Sequence, residues 1–279
     1  LRTTDPRGLV PAAIVAAAAL LMRGFRLTLL LPRGRLGLPT ATMIAATARA
    51  ATLFMPARVG ELALPVLLRR VAGWPTSSGI GTLLAVRTLD AAALGIWAGI
   101  AVFAVYGVAR PLALVAALCL LIPPLLLPAT LGLADLVALR CLAIRGARGR
   151  RWARRVRRLR RSVVSLGERP LNLLGAACAS LAMWGFLWAL AWYLLAAMGH
   201  RWPPFWVVAG SAAASLSNLL PFNLVGNFGT LETGWIAAFV ALGIPAETAA
   251  ATGVASHLWA LVFSAIYGAI GWAVLSGKR

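Results

Sequence analysis

Inside an otherwise apolar stretch, Met55-Pro56-Ala57-Arg58-Val59-Gly60-Glu61 carries an arginine and a glutamate three positions apart. A charged side chain at the centre of a membrane helix costs about 2.5 to 3.5 kcal/mol on insertion scales, so two of them require a shared polar site or each other. On a helix this spacing puts both on one side, while Pro56 and Gly60 work against an uninterrupted helix. One chemistry open to the group is recognition of an anionic phosphate by Arg58, whose guanidinium fork suits phosphate and stays charged when buried. The alternative is a structural pair in which Arg58 and Glu61 neutralise one another and pin the break.

A second break occurs at Pro221-Phe222-Asn223-Leu224-Val225-Gly226-Asn227-Phe228-Gly229, followed by a helix starting near Thr230 that carries Glu232. Pro56, Gly60, Pro221, Gly226 and Gly229 are the residues that break helix at the two places. Glu232 either caps backbone N–H groups or carries a proton or a cationic head group. Asn223 and Asn227, with Asn218, can satisfy unwound backbone. Arg87 and Asp90 form another i, i+3 pair, for which local pairing or snorkelling is the simpler reading. The candidate substrate-binding set is therefore Arg58, Glu61, Arg87, Asp90, Asn223, Asn227 and Glu232. His257 reads as a packed helix histidine, with a protonation role as the alternative.

These residues need elements to hold them, and composition fixes the solvent of those elements. The 279 residues are 61% hydrophobic and 12% charged, with a mean hydropathy of +0.86, which describes an integral membrane protein. The formal charge of +20 does not point to nucleic acid, because the 27 basic residues gather at the ends of apolar runs and in one loop, a topogenic pattern. Cys119, Cys141 and Cys178 lie too far apart for a disulfide framework or a zinc site. No metal and no cofactor is expected. The chain begins at Leu1 without a cleavable signal, which leaves room for an upstream helix.

In chain order, an apolar run from about Leu9 to Leu31 is long enough to span, with Arg23 and Arg26 near its end marking the cytoplasmic side. Pro39 to Met55 and Leu62 to Leu68 are short for full spans, and arginines flank both outer ends, so they are expected to form an inner re-entrant hairpin with the first break at its tip. Gly79 to Gly107 runs outward as a long helix, with Arg87 and Asp90 in its inner third. A linking span follows at Leu112 to Leu131. Leu171 to Met198 crosses again, its Trp184, Trp188 and Trp192 spaced for packing. Phe205 to Leu242 holds the second break in an outer hairpin, and about Glu247 to Leu275 is the last span, ending inside at Lys278 and Arg279.

Twelve arginines lie between Arg140 and Arg169, and such a segment can only be cytoplasmic. Trp152, Val156, Leu159, Val163 and Leu166 recur at helical spacing among them, so an interfacial helix is expected, with Arg154, Arg157 and Arg161 facing anionic lipid head groups of the cytoplasmic leaflet. A purely topogenic loop is the alternative.

The expected fold is an all-α polytopic membrane protein. Residues 1–135 form a first membrane half with its re-entrant hairpin at 39–70, residues 136–169 the Arg-rich cytoplasmic segment, and residues 170–279 a second half with its hairpin at 205–242. This order is an inverted repeat with two broken hairpins meeting near the membrane midplane, the arrangement by which many transporters build a site reachable from either side.

The stretch from Phe54 to Arg70, then Arg87-Thr88-Leu89-Asp90, and Leu220 to Gly243 with its Gly229-x-x-Glu232 and Leu242-Gly243-Ile244-Pro245, resemble the lysylphosphatidylglycerol synthase transmembrane-region family. Pro56-x-Arg58-x-Gly60-Glu61 is the most specific part. The resemblance implies a flippase or flippase-like protein of the cell (inner) membrane that handles an amphiphile: a phospholipid, a polyprenyl-linked lipid or a hopanoid lipid. The family's fused forms carry a soluble aminoacyl-transferring domain, and no polar stretch here is long enough for one, so aminoacyl transfer is not expected. The second tip is less glycine-rich than the family pattern. An accessory subunit of a lipid or glycan biosynthetic enzyme is the alternative. An enzyme acting on lipid phosphate fits less well, because two histidines, no Asp-rich pair and no His-Glu-x-x-His run leave a thin acid–base and metal inventory.

Overall fold

In a computed structural model, the protein is described over residues 5–32, 34–106, 168–217 and 229–277, with isolated helical positions at 140, 154, 156, 157, 160 and 164; the side chains of residues 56–58 and 106 are not described. All regular structure among these residues is helical. Among the described residues four helices are long and apolar enough to cross a membrane: α1 (Pro6–Leu30), α4 (Thr76–Tyr106), α5 (Pro170–Ala197) and α8 (Ala246–Ser276). Four shorter ones, α2 (Leu38–Phe54), α3 (Ala63–Ala72), α6 (Pro204–Ser217) and α7 (Thr230–Ala241), lie between them in two pairs. At about 1.5 Å per residue, α2 extends about 25 Å and α3 about 15 Å, each short of a full crossing.

The first break forms as its residues dictate. Met55 stops α2 with an extended backbone (φ −92°, ψ 133°), the conformation that a following proline imposes. Residues Pro56–Leu62 then make a 3-10 helix that runs straight into α3, and α3 ends at Gly73 in the left-handed conformation (φ 62°). Gly60 lies directly on the end of α2, where an added Cβ would stand 2.0 Å from the Ala51 carbonyl oxygen. Only glycine fits there. The second break lies in residues 218–228, outside the described residues, so Asn218, Pro221, Asn223, Gly226 and Asn227 are not placed. Its far edge is described: Gly229, at φ +88°, opens α7.

Each short pair opens and closes at one place. The Arg35 guanidinium, just before α2, sits 5.2 Å over the Trp74 ring, just after α3, and donates to the Ala72 carbonyl at 3.3 Å. Trp202, just before α6, packs at 4.9 Å on Phe239 near the end of α7, in one cluster with Leu242 and Ile244.

Between the halves, α1 packs along α5, α2 packs on α8, and α6 packs on α4. Close α1–α2 contact depends on Gly24, whose added Cβ would meet Thr42 Oγ1 at 2.2 Å and its Cα at 2.7 Å. Leu31, Ile44 and Leu68 form the core of the first half, with Ala176 of α5 against them. Trp188 is buried against Leu94 and Ala98 of α4 and Val208 and Ala212 of α6, and Trp184 stacks beside it at 5.0 Å, so these tryptophans serve helix packing. The outward faces stay apolar: Ile14, Phe103, Leu174 and Trp272 are each more than half exposed. Exposed apolar surface along long helices is what a lipid solvent selects.

The helix bounds follow the apolar runs with one informative difference. Helix α4 starts at Thr76, three residues before the expected Gly79, because Thr76, Ser77 and Ser78 make its first turn. Arg87 and Asp90 consequently lie midway along α4 and not in its inner third. The linking span at 112–131 and most of the Arg-rich segment, Arg161 included, fall outside the described residues; Arg154 and Arg157 are helical and exposed.

Candidate functional site

Helices α1, α2 and α4, with the 3-10 turn and the start of α3, line a cavity of about 70 Å³ that is open on one side. Its ionisable lining is Arg23 and Arg26 from α1, Arg49 from α2, Glu61 from the 3-10 turn, and Arg87 and Asp90 from α4; Leu27, Ala45, Leu64 and Val86 supply apolar wall. Six ionisable groups around one small space, carried by helices with apolar outer faces, make an intramembrane polar site.

The charges divide into two pairs and a remainder. Arg26, 3% exposed, forms an ion pair with Asp90, 8% exposed, and the same guanidinium nitrogen donates to Ser180 Oγ of α5 at 2.8 Å. Ser180 in turn donates to the Ala176 carbonyl at 2.9 Å. Three helices are joined by this one arginine. The Arg26 Nε is buried and has no hydrogen-bond partner among the described residues. Arg87 binds Glu61 through two contacts, Nη2 to Oε1 at 2.7 Å and Nε to Oε2 at 3.3 Å, and this pair is more open, with the Arg87 side chain 48% exposed. The fork holds the 3-10 turn against α4.

Arg23 and Arg49 complete the lining. Arg23 faces Arg49, Arg26 and Arg87 as like charges and Asp90 as its counter-charge, and Arg49 likewise faces Arg87 and Asp90. Among the described residues neither has an ion-pair or hydrogen-bond partner. In the described lining, four arginines against two carboxylates leave a surplus of two positive charges.

Of the expected site residues, the structure brings together Glu61, Arg87 and Asp90. Local i, i+3 pairing does not hold for Arg87 and Asp90: each takes its partner from another element. Glu61 likewise reaches across to α4, and the Arg58 side chain lies outside what is described. The described lining comes from the first half alone. Sequence reasoning missed Arg49, although an arginine near the middle of an apolar run is itself a signal. It also took Arg23 and Arg26 for a topogenic flank.

Glu232 belongs to a separate centre. Its Oε2 accepts the Gly229 N–H at 2.7 Å, closing the first turn of α7, and its Oε1 lies 2.5 Å from His257 Nδ1 on α8. Both side chains are buried, Glu232 at 9% and His257 at 5% exposure. The cap reading of Glu232 therefore holds, with a cross-helix partner added. His257 is the residue that clamps α7 to α8.

The chain matches, over residues 1–268, the family model described as the Lysylphosphatidylglycerol synthase TM region. No curated protein and no solved structure gives a match.

Proposed function

The chain belongs to the lysylphosphatidylglycerol synthase transmembrane-region family, and from that premise we propose that this multi-pass membrane protein moves an anionic or head-group-modified amphiphile between leaflets, with the arginine-lined cavity as its head-group site. The observation that carries the reading is the cavity itself. Uncompensated guanidinium groups inside a membrane protein are costly to keep unless they act on something, and phosphate is the ligand their geometry suits best.

The packing of the short pairs supports a transporter architecture. A pair that opens and closes at one place, as 38–72 does through Arg35 and Trp74 and 204–241 does through Trp202 and Phe239, returns the chain to the side it came from. Read as re-entrant hairpins, these are the broken elements around which transporters form a midplane site. The contacts between halves support an internal repeat: exchanging α1–α4 with α5–α8 turns the α2–α8 contact into the α6–α4 contact, and both are present. In the orientation we infer, the Arg-rich segment 136–169 and the C-terminus are cytoplasmic, with Arg154 and Arg157 exposed toward anionic lipid.

The test is transfer in proteoliposomes carrying phosphatidic acid labelled on a short acyl chain, read by an impermeant quencher added outside. With active protein the quenched fraction should rise beyond the outer leaflet to include inner-leaflet lipid. Arg49→Gln, folded and inserted, should slow this about tenfold or more, the effect of losing one charge-assisted contact. Quenching confined to the outer leaflet with wild-type protein, or unchanged transfer by folded Arg49→Gln, would overturn the reading.

A further inference from the structure

We propose that the cavity selects a head group bearing a dianionic phosphate, a phosphomonoester or a diphosphate, and rejects a cationic aminoacyl-modified lipid; this rests on the reading of the cavity as the head-group site. The family takes its name from a lysylated lipid, whose head group carries net positive charge. The residues of this chain oppose such a ligand. Asp90 is committed to Arg26 and Glu61 to Arg87, so neither carboxylate remains to receive an ammonium group. Arg23 and Arg49 are left without a protein partner among the described residues, and they repel one another across the cavity.

Two surplus positive charges are balanced by two negative ones. A phosphomonoester or diphosphate supplies them within a compact volume, and its non-bridging oxygens accept from both forks at once. A phosphodiester carries one negative charge and would leave one arginine uncompensated. A lysyl head group would add positive charge to a site already in surplus, the kind of repulsive element on which specificity depends.

The experiment measures ligand-induced thermal stabilisation of the full chain in mild detergent at about pH 8, above the second phosphate pKa. The probes are dioctanoyl phosphatidic acid, dioctanoyl phosphatidylglycerol, dioctanoyl lysylphosphatidylglycerol and glycerol 3-phosphate. Phosphatidic acid should bind about tenfold or more tightly than phosphatidylglycerol, and the lysylated lipid weakest of all. Arg23→Gln and Arg49→Gln should each abolish the preference for phosphatidic acid over phosphatidylglycerol. Their melting temperatures without ligand should hold or rise, since a repulsion is removed. Should either variant fail to fold, the ligand order on the wild-type protein decides alone. Glycerol 3-phosphate matching phosphatidic acid would support the dianion specificity and assign it to a soluble phosphate in place of a lipid. Lysylated lipid binding as tightly as phosphatidic acid would overturn the proposal. Selective binding of phosphatidic acid by a protein that moves no lipid between leaflets would defeat the transport reading and leave this one standing.

Discussion

Asp90 takes its counter-charge from Arg26, 64 positions away on another helix, and not from Arg87 one turn back on its own. The consequence is that α1, α4 and α5 meet at a single buried guanidinium, since Arg26 also holds Ser180. Arg87 is thereby left for Glu61 at the first break. One ion pair is sealed in the core and the other stands at the open side of the cavity, and this separates a residue that holds the fold from residues available to a ligand.

The sealed pair should behave as a structural unit. Asp90→Ala leaves Arg26 buried without a counter-charge and should destabilise the protein by about 3 to 5 kcal/mol. Arg26→Met with Asp90→Ala removes both charges and should recover most of that loss, because Ser180 keeps its bond to the Ala176 carbonyl. Melting curves of the two single variants and the double variant close the cycle. A double variant that melts as low as Asp90→Ala would show that the pair's charge is not what the fold depends on.

The open pair should give the opposite ratio of effects. With its side chain nearly half exposed, Arg87 contributes to stability as a surface ion pair does, within about 1 kcal/mol, so Arg87→Gln should shift the melting temperature little. It nevertheless lines the cavity and holds the 3-10 turn, so lipid transfer in proteoliposomes should fall clearly. A fall in melting temperature as large as that of Asp90→Ala would make the Glu61–Arg87 fork structural.

How much of this could be read in advance depends on the residue. The first break was legible because Pro56 removes a donor and Gly60 is required by the approach of Ala51, and both effects act locally in sequence. The long helices were legible from apolar length alone. The wiring of the charges was not. The i, i+3 rule describes neighbours on an isolated helix, but inside apolar surroundings each charge is drawn to the best partner on any helix, as Arg87 and Asp90 show. Arg23 and Arg26 were misread because distance from a helix end says nothing about which face a residue occupies; Arg26 is beside Leu27 on the buried face of α1. The cap was one of the two readings that the position of Glu232 after Gly229 offered, while its contact with His257, 25 positions on, had no sequence signature.

That contact sets the final prediction. Glu232 uses one oxygen to close the first turn of α7 and the other to meet His257 on α8, so it clamps the helix that leaves the second break. Glu232→Gln preserves both roles in part: the amide oxygen can accept from Gly229, and the amide nitrogen can donate to an unprotonated Nδ1. It should cost about 1 kcal/mol, the net worth of an ordinary hydrogen bond. Glu232→Ala loses the cap and also leaves His257 Nδ1 without this partner, so its cost should be about 2 to 4 kcal/mol when the two losses are added. Amide hydrogen exchange should locate the damage: in the alanine variant the amides of Gly229 and of the first turn, Thr230 to Thr233, should exchange faster, while those of α4 should not. Equal melting temperatures for the two variants, or exchange that rises uniformly along the chain, would show that Glu232 does not act as the clamp between α7 and α8.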